Sequence, residues 1–275
     1  MVRTPQPTEQ TVQAQVNGIT LAYNDQGSGP PLIFLHAFPL NRTMWVEQES
    51  RFSSQFRVIT VDLRGYGESD APLGRYALDQ AAADVIGLLD NLSIRQAVFV
   101  GLSMGGYILF ALYRKYADRV TGLVLADTRA QADTAEGKEA RFQMAQTAYK
   151  NGSSAIADLM IPKLLSPATV QTKPDLVRRV RRMIDRNQVS GIAGGLMAMA
   201  ERPDSVTLLK EITCPTQIIV GEQDLPTPPA DAKLMADHIP GACLTIIPRA
   251  AHLSNLEQPD LFNETICSFI LKAPR

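Results

Sequence analysis

Val98-Phe99-Val100-Gly101-Leu102-Ser103-Met104-Gly105-Gly106 joins a short β-branched run to a glycine, a serine and two further glycines, and an apolar helical pattern follows from Tyr107 to Tyr116. The pattern is Gly-x-Ser-x-Gly in a strand–turn–helix context. Glycines two residues before and after the serine let strand and helix approach across a turn too sharp for larger residues. Such a turn lifts the hydroxyl clear of the backbone. It also leaves the first amide N–H groups of the helix pointing at whatever binds there. Taken alone, the same residues also fit a glycine-rich turn whose serine merely caps a helix, so the rest of the chain has to decide.

The chain has 275 residues, 45% of them hydrophobic and 20% charged, enough for one large α/β domain or a domain with an insertion. Its net charge of −1 offers no basic field for nucleic acid. Cys214, Cys243 and Cys267 are scattered, odd in number and without metal-ligand spacing, which predicts buried free thiols rather than a disulfide framework. Met1 to Gln10 is polar and lacks the apolar segment of a secretory signal, and no stretch approaches the length of a membrane span. The expected location is the cytoplasm, with no membrane partner.

Working outward from Ser103, Thr11–Val16 and Ile19–Tyr23 flank Asn17-Gly18, a two-residue hairpin signal. Pro31–Leu35, Arg57–Val61 and Val120–Ala126 are continuous apolar runs and read as buried strands, with a helix at about Leu78–Leu92. From about Ala130 to Glu211 only helical patterns appear. Asp133-x-x-Glu136 resembles an acidic capping box, Asn151-Gly152 a helix stop, and Asp175–Arg186 an amphipathic helix with Leu176, Val177, Val180, Met183 and Ile184 on one face. Alternation resumes with a strand at Thr216–Val220, a helix near Pro229–His238, a strand at Cys243–Ile247 and a last helix near Asp260–Leu271. This order predicts a mostly parallel sheet flanked by helices. Its core comprises residues 1–129 and 212–275, and a helical cap, 130–211, is inserted between strands. Ligands bind such sheets at the carboxyl ends of the strands, where Ser103 lies.

A serine hydroxyl needs a base within hydrogen-bond reach, and the base needs an orienting partner. Only three histidines exist: His36 directly follows a strand, His252 follows the final strand, and His238 reads as a helix-surface residue. Asp62, Asp127 and Asp224 stand at strand ends as candidate acids.

His36-Ala37-Phe38-Pro39, Asp62-Leu63-Arg64-Gly65-Tyr66-Gly67-Glu68-Ser69-Asp70, Gly101 to Gly106, Gly221-Glu222-Gln223-Asp224 and His252-Leu253-Ser254-Asn255-Leu256-Glu257-Gln258-Pro259 occur in this order. In these words the chain resembles the α/β-hydrolase superfamily from about Thr11 onward. Within it the chain is similar to small bacterial serine esterases, aryl esterase/perhydrolases and 3-oxoadipate enol-lactonases. The resemblance implies an α/β-hydrolase fold, with Ser103 as nucleophile, His252 as general base and then acid, and Asp224 fixing the imidazole tautomer. It also implies an oxyanion hole from the backbone N–H groups of Phe38 and Met104, and a structural His36. Relatives usually carry glycine where this chain has Ala37. Asp127 stands where some relatives place the acid; otherwise it reads as a turn residue, and Asp62 as a structural carboxylate facing Arg64 or local amides.

The implied activity is hydrolysis of small, fairly apolar carboxylic esters through an acyl-enzyme, with no metal and no organic cofactor required. Enol-lactone hydrolysis, carbon–carbon bond hydrolysis or perhydrolysis by the same triad are alternatives, as is a ligand sensor without catalysis. Arg178, Arg179, Arg181 and Arg182 lie opposite the apolar face of their helix and read as solvated, or else as an anchor for a substrate carboxylate. Phe142, Met144, Tyr149, Met160, Met183, Met197 and Met199 read as cap core or as lining of an adaptable pocket, and Trp45 as a core residue opening a helix or a residue flanking the pocket. Gly191, Gly194 and Gly195 predict either close packing of their helix on the core or a mobile cap.

Overall fold

Asn17 and Gly18 both take left-handed backbone, with φ of 48° and 77°. They close the strands β1 (Val12–Val16) and β2 (Ile19–Gln26) into an antiparallel hairpin. The computed structural model describes residues 12–272. Thr11 and the polar stretch 1–10 lie outside the described residues. β3 (Pro31–Leu35), β4 (Arg57–Val61), β5 (Ala97–Leu102), β6 (Val120–Ala126), β7 (Thr216–Gly221) and β8 (Cys243–Ile247) complete an eight-stranded sheet. The order is β1-β2-β4-β3-β5-β6-β7-β8, parallel from β4 to β8. β3, β4, β6 and β7 are buried along almost their whole length. Buried backbone must pair within the sheet and buried side chains must be apolar, which is why these strands read so plainly in sequence.

Register sets the site. Leu35 pairs with Gly101, Leu102 with Ala126, Ala126 with Ile219, and Gly221 with Ile247. The loops leaving these aligned ends carry Phe38, Ser103, Asp127, Asp224 and His252, residues up to 214 positions apart, onto one edge of the sheet.

The helices α1 (Val46–Phe52), α2 (Leu78–Asn91), α3 (Met104–Tyr116), α9 (Pro229–His238), α10 (Ser254–Glu257) and α11 (Pro259–Lys272) accompany the sheet. Trp45 precedes α1, fully buried, its ring 5.1 Å from Phe34 and 6.1 Å from Phe262. Between β6 and β7 come α4 (Ala135–Leu164), α5 (Pro167–Thr172), α6 (Pro174–Asp185), α7 (Val189–Ala200) and α8 (Val206–Leu209), the helical cap. α6 buries Val180, Met183 and Ile184 and half-buries Leu176 and Val177, the expected face.

Three details differ from expectation. The cap of α4 is Thr134, whose side chain accepts from Gly137 N at 3.2 Å, not Asp133. Asp133 is drawn away by arginines, as described below. The expected helix stop at Asn151-Gly152 is met: Gly152 is non-helical (φ 80°), and two helices join there across a kink within α4. Phe142 and Tyr149 point outward rather than into cap core, whereas Met183 and Met199 are buried. Finally, Cys243 is exposed and Cys214 and Cys267 are half-buried; Cys243 lies on β8, the edge strand, which has one uncovered side.

The cap meets the core through α7. A Cβ added at Gly191 would lie 1.7 Å from Gly65 O, and one at Gly195 1.8 Å from the Tyr66 hydroxyl. Of the two readings of these glycines, close packing is the observed one. The 62–70 loop beneath them is fixed by buried ion pairs. Asp62 pairs with Arg42, and its oxygens accept from Arg42 N (2.7 Å) and Glu68 N (2.9 Å). Arg64 instead holds Asp84 through two bonds of 2.8 and 2.9 Å. Of the two expected partners of Asp62, local amides are found and Arg64 is not; the Arg42 side chain, 20 residues upstream, takes the ion pair.

Candidate active site

Ser103 sits at the hinge between β5 and α3 with φ 55° and ψ −111°, a conformation that costs a non-glycine residue about 1–3 kcal/mol. The glycines around it permit the turn: a Cβ at Gly101 would meet Gly105 C at 2.6 Å, and one at Gly105 would meet Leu35 O at 2.3 Å. Ser103 N donates to Ala126 O at 2.9 Å, and Thr128 Oγ1 donates to Ser103 O at 2.9 Å. The hydroxyl makes no capping bond to α3, so the helix-cap reading of this serine fails. It lies 2.8 Å from His252 Nε2.

His252 Nδ1 is 2.9 Å from each carboxylate oxygen of Asp224. Thr227 N donates to Asp224 Oδ1 at 2.9 Å and Thr227 Oγ1 to Oδ2 at 2.8 Å. Both oxygens are thereby fixed, and Nδ1 carries the imidazole proton while Nε2 faces the serine hydroxyl as acceptor. Ser103, Asp224 and His252 are 7%, 2% and 3% exposed, so the chain of hydrogen bonds runs through a largely dry environment. A line of alcohol, imidazole and carboxylate with these spacings is able to strip a proton from the alcohol.

Asp127, the other acid considered, makes no bond to His252. Its oxygens take Gly221 N (2.8 Å) and the Ser254 hydroxyl. Burial, and secondarily the charge of Asp224, pushes its carboxyl well above the usual range. Asp127 therefore ties β7 to the His252 loop. His238, at the end of α9, is exposed and bonds its own helix at Leu234 O.

The backbone N–H groups of Phe38 and Met104 donate to no acceptor among the described residues. Ala37 has no positive φ, so alanine fits where glycine is usual. His36 is buried, Nδ1 against Ala37 O (3.0 Å) and Nε2 accepting from Leu63 N (3.1 Å), linking the ends of β3 and β4. Burial lowers its pKa from 6.5 to about 4. Between these values the unfolded chain binds a proton that the native state refuses. The stabilisation is complete above pH 6.5 and is lost as pH falls, by about 3 kcal/mol at pH 4. Urea unfolding between pH 4.5 and 7 is expected to show a flatter stability–pH slope for His36→Asn than for wild type; equal slopes would refute this.

A cavity of about 430 Å³ opens between cap and core, lined by Phe38, Met144, Met160, Leu196, Leu225 and Pro226 on its apolar side. Its other wall carries Arg129, Arg141, Lys163 and Asp133. Asp133 receives Arg129 (2.8 Å), Arg202 (2.8 Å) and Arg141. Burial alone would raise its pKa, but the Arg202 and Arg141 guanidinium groups hold the carboxyl well below the carboxylate range. The arginines of α6 lie elsewhere. Arg178 pairs with Asp175, Arg179 with Glu47 and Arg181 with Asp158, while Arg182 joins Arg179 and Arg186 at a separate surface cleft.

Two functional neighbours escape sequence reading. Thr227 carries a faint signal, since Asp-x-x-Thr is the spacing of a local side-chain turn. Glu257 falls within the quoted word His252–Pro259, but nothing there foretells its role: it accepts from Ala251 N (2.6 Å), Ser166 N (2.9 Å) and Ser166 Oγ (2.6 Å), bracing the His252 loop against a cap residue 91 positions away.

Among the described residues no group of three or more His, Cys, Asp or Glu could hold a metal ion, and no helix is long and apolar enough to cross a membrane. Residues 30–259 match the family model described as the alpha/beta hydrolase fold. The chain is 33% identical to 3-oxoadipate enol-lactonase 2 of Acinetobacter baylyi, covering 93% of this chain and 94% of that one. Its backbone is similar to a thermophilic esterase from Thermogutta terrifontis (TM-score 0.92, 40% identity, 96% and 99% coverage). It is also similar to the enol-lactonase from Burkholderia xenovorans LB400 (TM-score 0.90, 32% identity, 95% and 100% coverage). Fold, sheet order and these similarities agree: the chain belongs to the α/β-hydrolase family.

Proposed function

We propose that the protein is a serine hydrolase that cleaves small carboxylic esters through an acyl-enzyme. The observation that carries this reading is the continuous line from Ser103 Oγ to His252 Nε2 at 2.8 Å and from Nδ1 to Asp224 at 2.9 Å. His252 takes the hydroxyl proton as Ser103 Oγ attacks the ester carbonyl. The oxyanion so formed faces the N–H groups of Phe38 and Met104, each such donor being worth about 3 kcal/mol in the transition state. His252 then protonates the leaving alcohol. Water, deprotonated by the same imidazole, releases the acid. Asp224 remains ionised throughout and stabilises the imidazolium.

A second reading concerns the substrate. In and behind the cationic wall Arg129, Arg141, Arg202 and Lys163 outnumber Asp133 and Asp231, the latter close enough to act on Arg129. A surplus of positive charge in a cavity that Phe38 also lines favours an ester or lactone that also bears a carboxylate. The enol-lactonase relatives support the lactone form of this reading. Steady-state assays of p-nitrophenyl butyrate and of the mono-p-nitrophenyl ester of glutaric acid test both. Turnover of either, with Ser103 labelled by a fluorophosphonate, supports the hydrolase; no turnover and no label overturns it. A kcat/KM that favours the anionic ester and falls with added salt supports the charged substrate. A neutral preference indifferent to salt removes it.

A further inference from the structure

Asn187 stands at the junction of α6 and α7, in the cap, yet all its side-chain bonds reach into the core. Its Nδ2 donates to Pro39 O at 2.7 Å and to Leu40 O at 3.2 Å. Its Oδ1 accepts from Gly67 N at 2.7 Å. The residue is 4% exposed, so these bonds are made out of water and each missing one leaves a buried group unpaired. Among the described residues neither the Pro39 nor the Leu40 carbonyl accepts a hydrogen bond from any other group. Beside it, Asn41 Nδ2 donates to Met183 O at 3.3 Å and Arg179 Nη2 donates to Thr43 O at 2.9 Å.

The carbonyls that Asn187 grips directly follow Phe38. The turn containing them is otherwise closed by Leu40 N to Ala37 O at 2.8 Å, a bond that fixes its width but not its tilt toward Ser103. Two donors aimed at one side of a plane and an acceptor at the other are what a carboxamide supplies. Aspartate has the same shape but would turn a negative oxygen on two carbonyls. Alanine would leave two carbonyls and one amide unpaired.

We infer that Asn187 is a positioning residue: a cap side chain that holds the Phe38–Leu40 turn in the orientation at which the Phe38 N–H meets the oxyanion. The inference rests on the proposed hydrolase and its oxyanion hole. It adds that the cap completes that hole, so the cap's seating on the core governs the chemical step as well as substrate entry. An oxyanion donor acts on the transition state and hardly on the bound ester, so misplacing it lowers kcat and leaves KM alone.

The test compares wild type with Asn187→Asp, Asn187→Ala and Asn187→Ser, using p-nitrophenyl butyrate, an alkylboronic acid that adds to the serine as a tetrahedral anion, and thermal melting. Expected for Asp and Ala is a loss of about 10- to 100-fold in kcat with KM within about twofold, and a parallel weakening of the boronate inhibition constant. Serine, able to restore one bond, is expected in between. A lowered melting temperature with kcat unchanged overturns the inference in favour of a purely structural tie, as does failure of all three variants to fold. A raised KM with kcat unchanged overturns it in favour of substrate contact. If wild type itself neither turns over ester nor takes the fluorophosphonate label, the hydrolase reading has failed and the inference falls with it. If wild type is active and the variants match it, the inference alone has failed.

Discussion

Ser103→Ala and His252→Ala are each expected to lower kcat for p-nitrophenyl butyrate by about five to six orders of magnitude, and the double variant by no more than either single one. The alcohol is a nucleophile only while the imidazole 2.8 Å away accepts its proton, so removing either group removes the same step. What remains is rate from binding and from the oxyanion donors, a residue of about 10³-fold over water. Single-turnover kinetics at high protein concentration measure it. Losses that add in the double variant would show two independent routes and sink the triad. Asp224→Asn is expected to cost less, about four orders of magnitude, because the amide lets the ring adopt the wrong tautomer. Asp127→Asn is the discriminating partner. Asp127 and Asp224 leave neighbouring strand ends, but Asp127 makes no bond to the imidazole and accepts instead from Gly221 N and the Ser254 hydroxyl. Its carboxyl makes no bond to His252, so kcat should change little even if the His252 loop loses some stability. Equal losses in the two variants would exchange their roles.

Much of this site was legible before any coordinates. β3, β4 and β6 have the bounds their apolar runs predict, since a strand covered on both faces cannot hide its composition. Ser103 stands out because the nucleophile turn has few solutions; the few histidines leave His36 and His252, and only the resemblance to α/β-hydrolases chooses between them. What sequence could not give is lateral order and long-range polar pairing. The exchange of Asp62's partner from Arg64 to Arg42 depends on which side chain reaches the carboxylate first. The dense arginines of α6 read as a solvated face or a carboxylate anchor, and they pair with surface carboxylates. The cationic wall of the cavity is formed by Arg129, Arg141 and Lys163, which are sparse in sequence but converge. Density along a helix reports its solvated face, whereas convergence is a property of the fold. Glu257 and Asn187 are illegible for the same reason: their partners lie about 90 to 150 residues away.

Gly105→Ala is expected to damage stability and catalysis together. The added methyl would sit 2.3 Å from Leu35 O and 2.9 Å from Leu35 C, backbone atoms at the end of a central strand that cannot swing aside as a side chain would. The helix must withdraw instead. Overpacking against backbone at such a distance costs about 3 kcal/mol or more. For a chain of 275 residues that lowers the melting temperature by roughly 6–12 °C. The direction of the withdrawal matters more than its size. Gly105 follows Met104 and Leu35 precedes Phe38 by three residues, so pushing α3 from β3 separates the two amides proposed to share one oxyanion. Protein that still folds should therefore lose kcat by about 10²-fold or more, as when one oxyanion donor is removed, with Ser103 and His252 untouched. Differential scanning calorimetry and ester kinetics on the same sample separate the two effects. An unaltered melting temperature with full activity would mean that the turn has slack, and the tight strand–helix contact would lose its place in the argument for a built nucleophile.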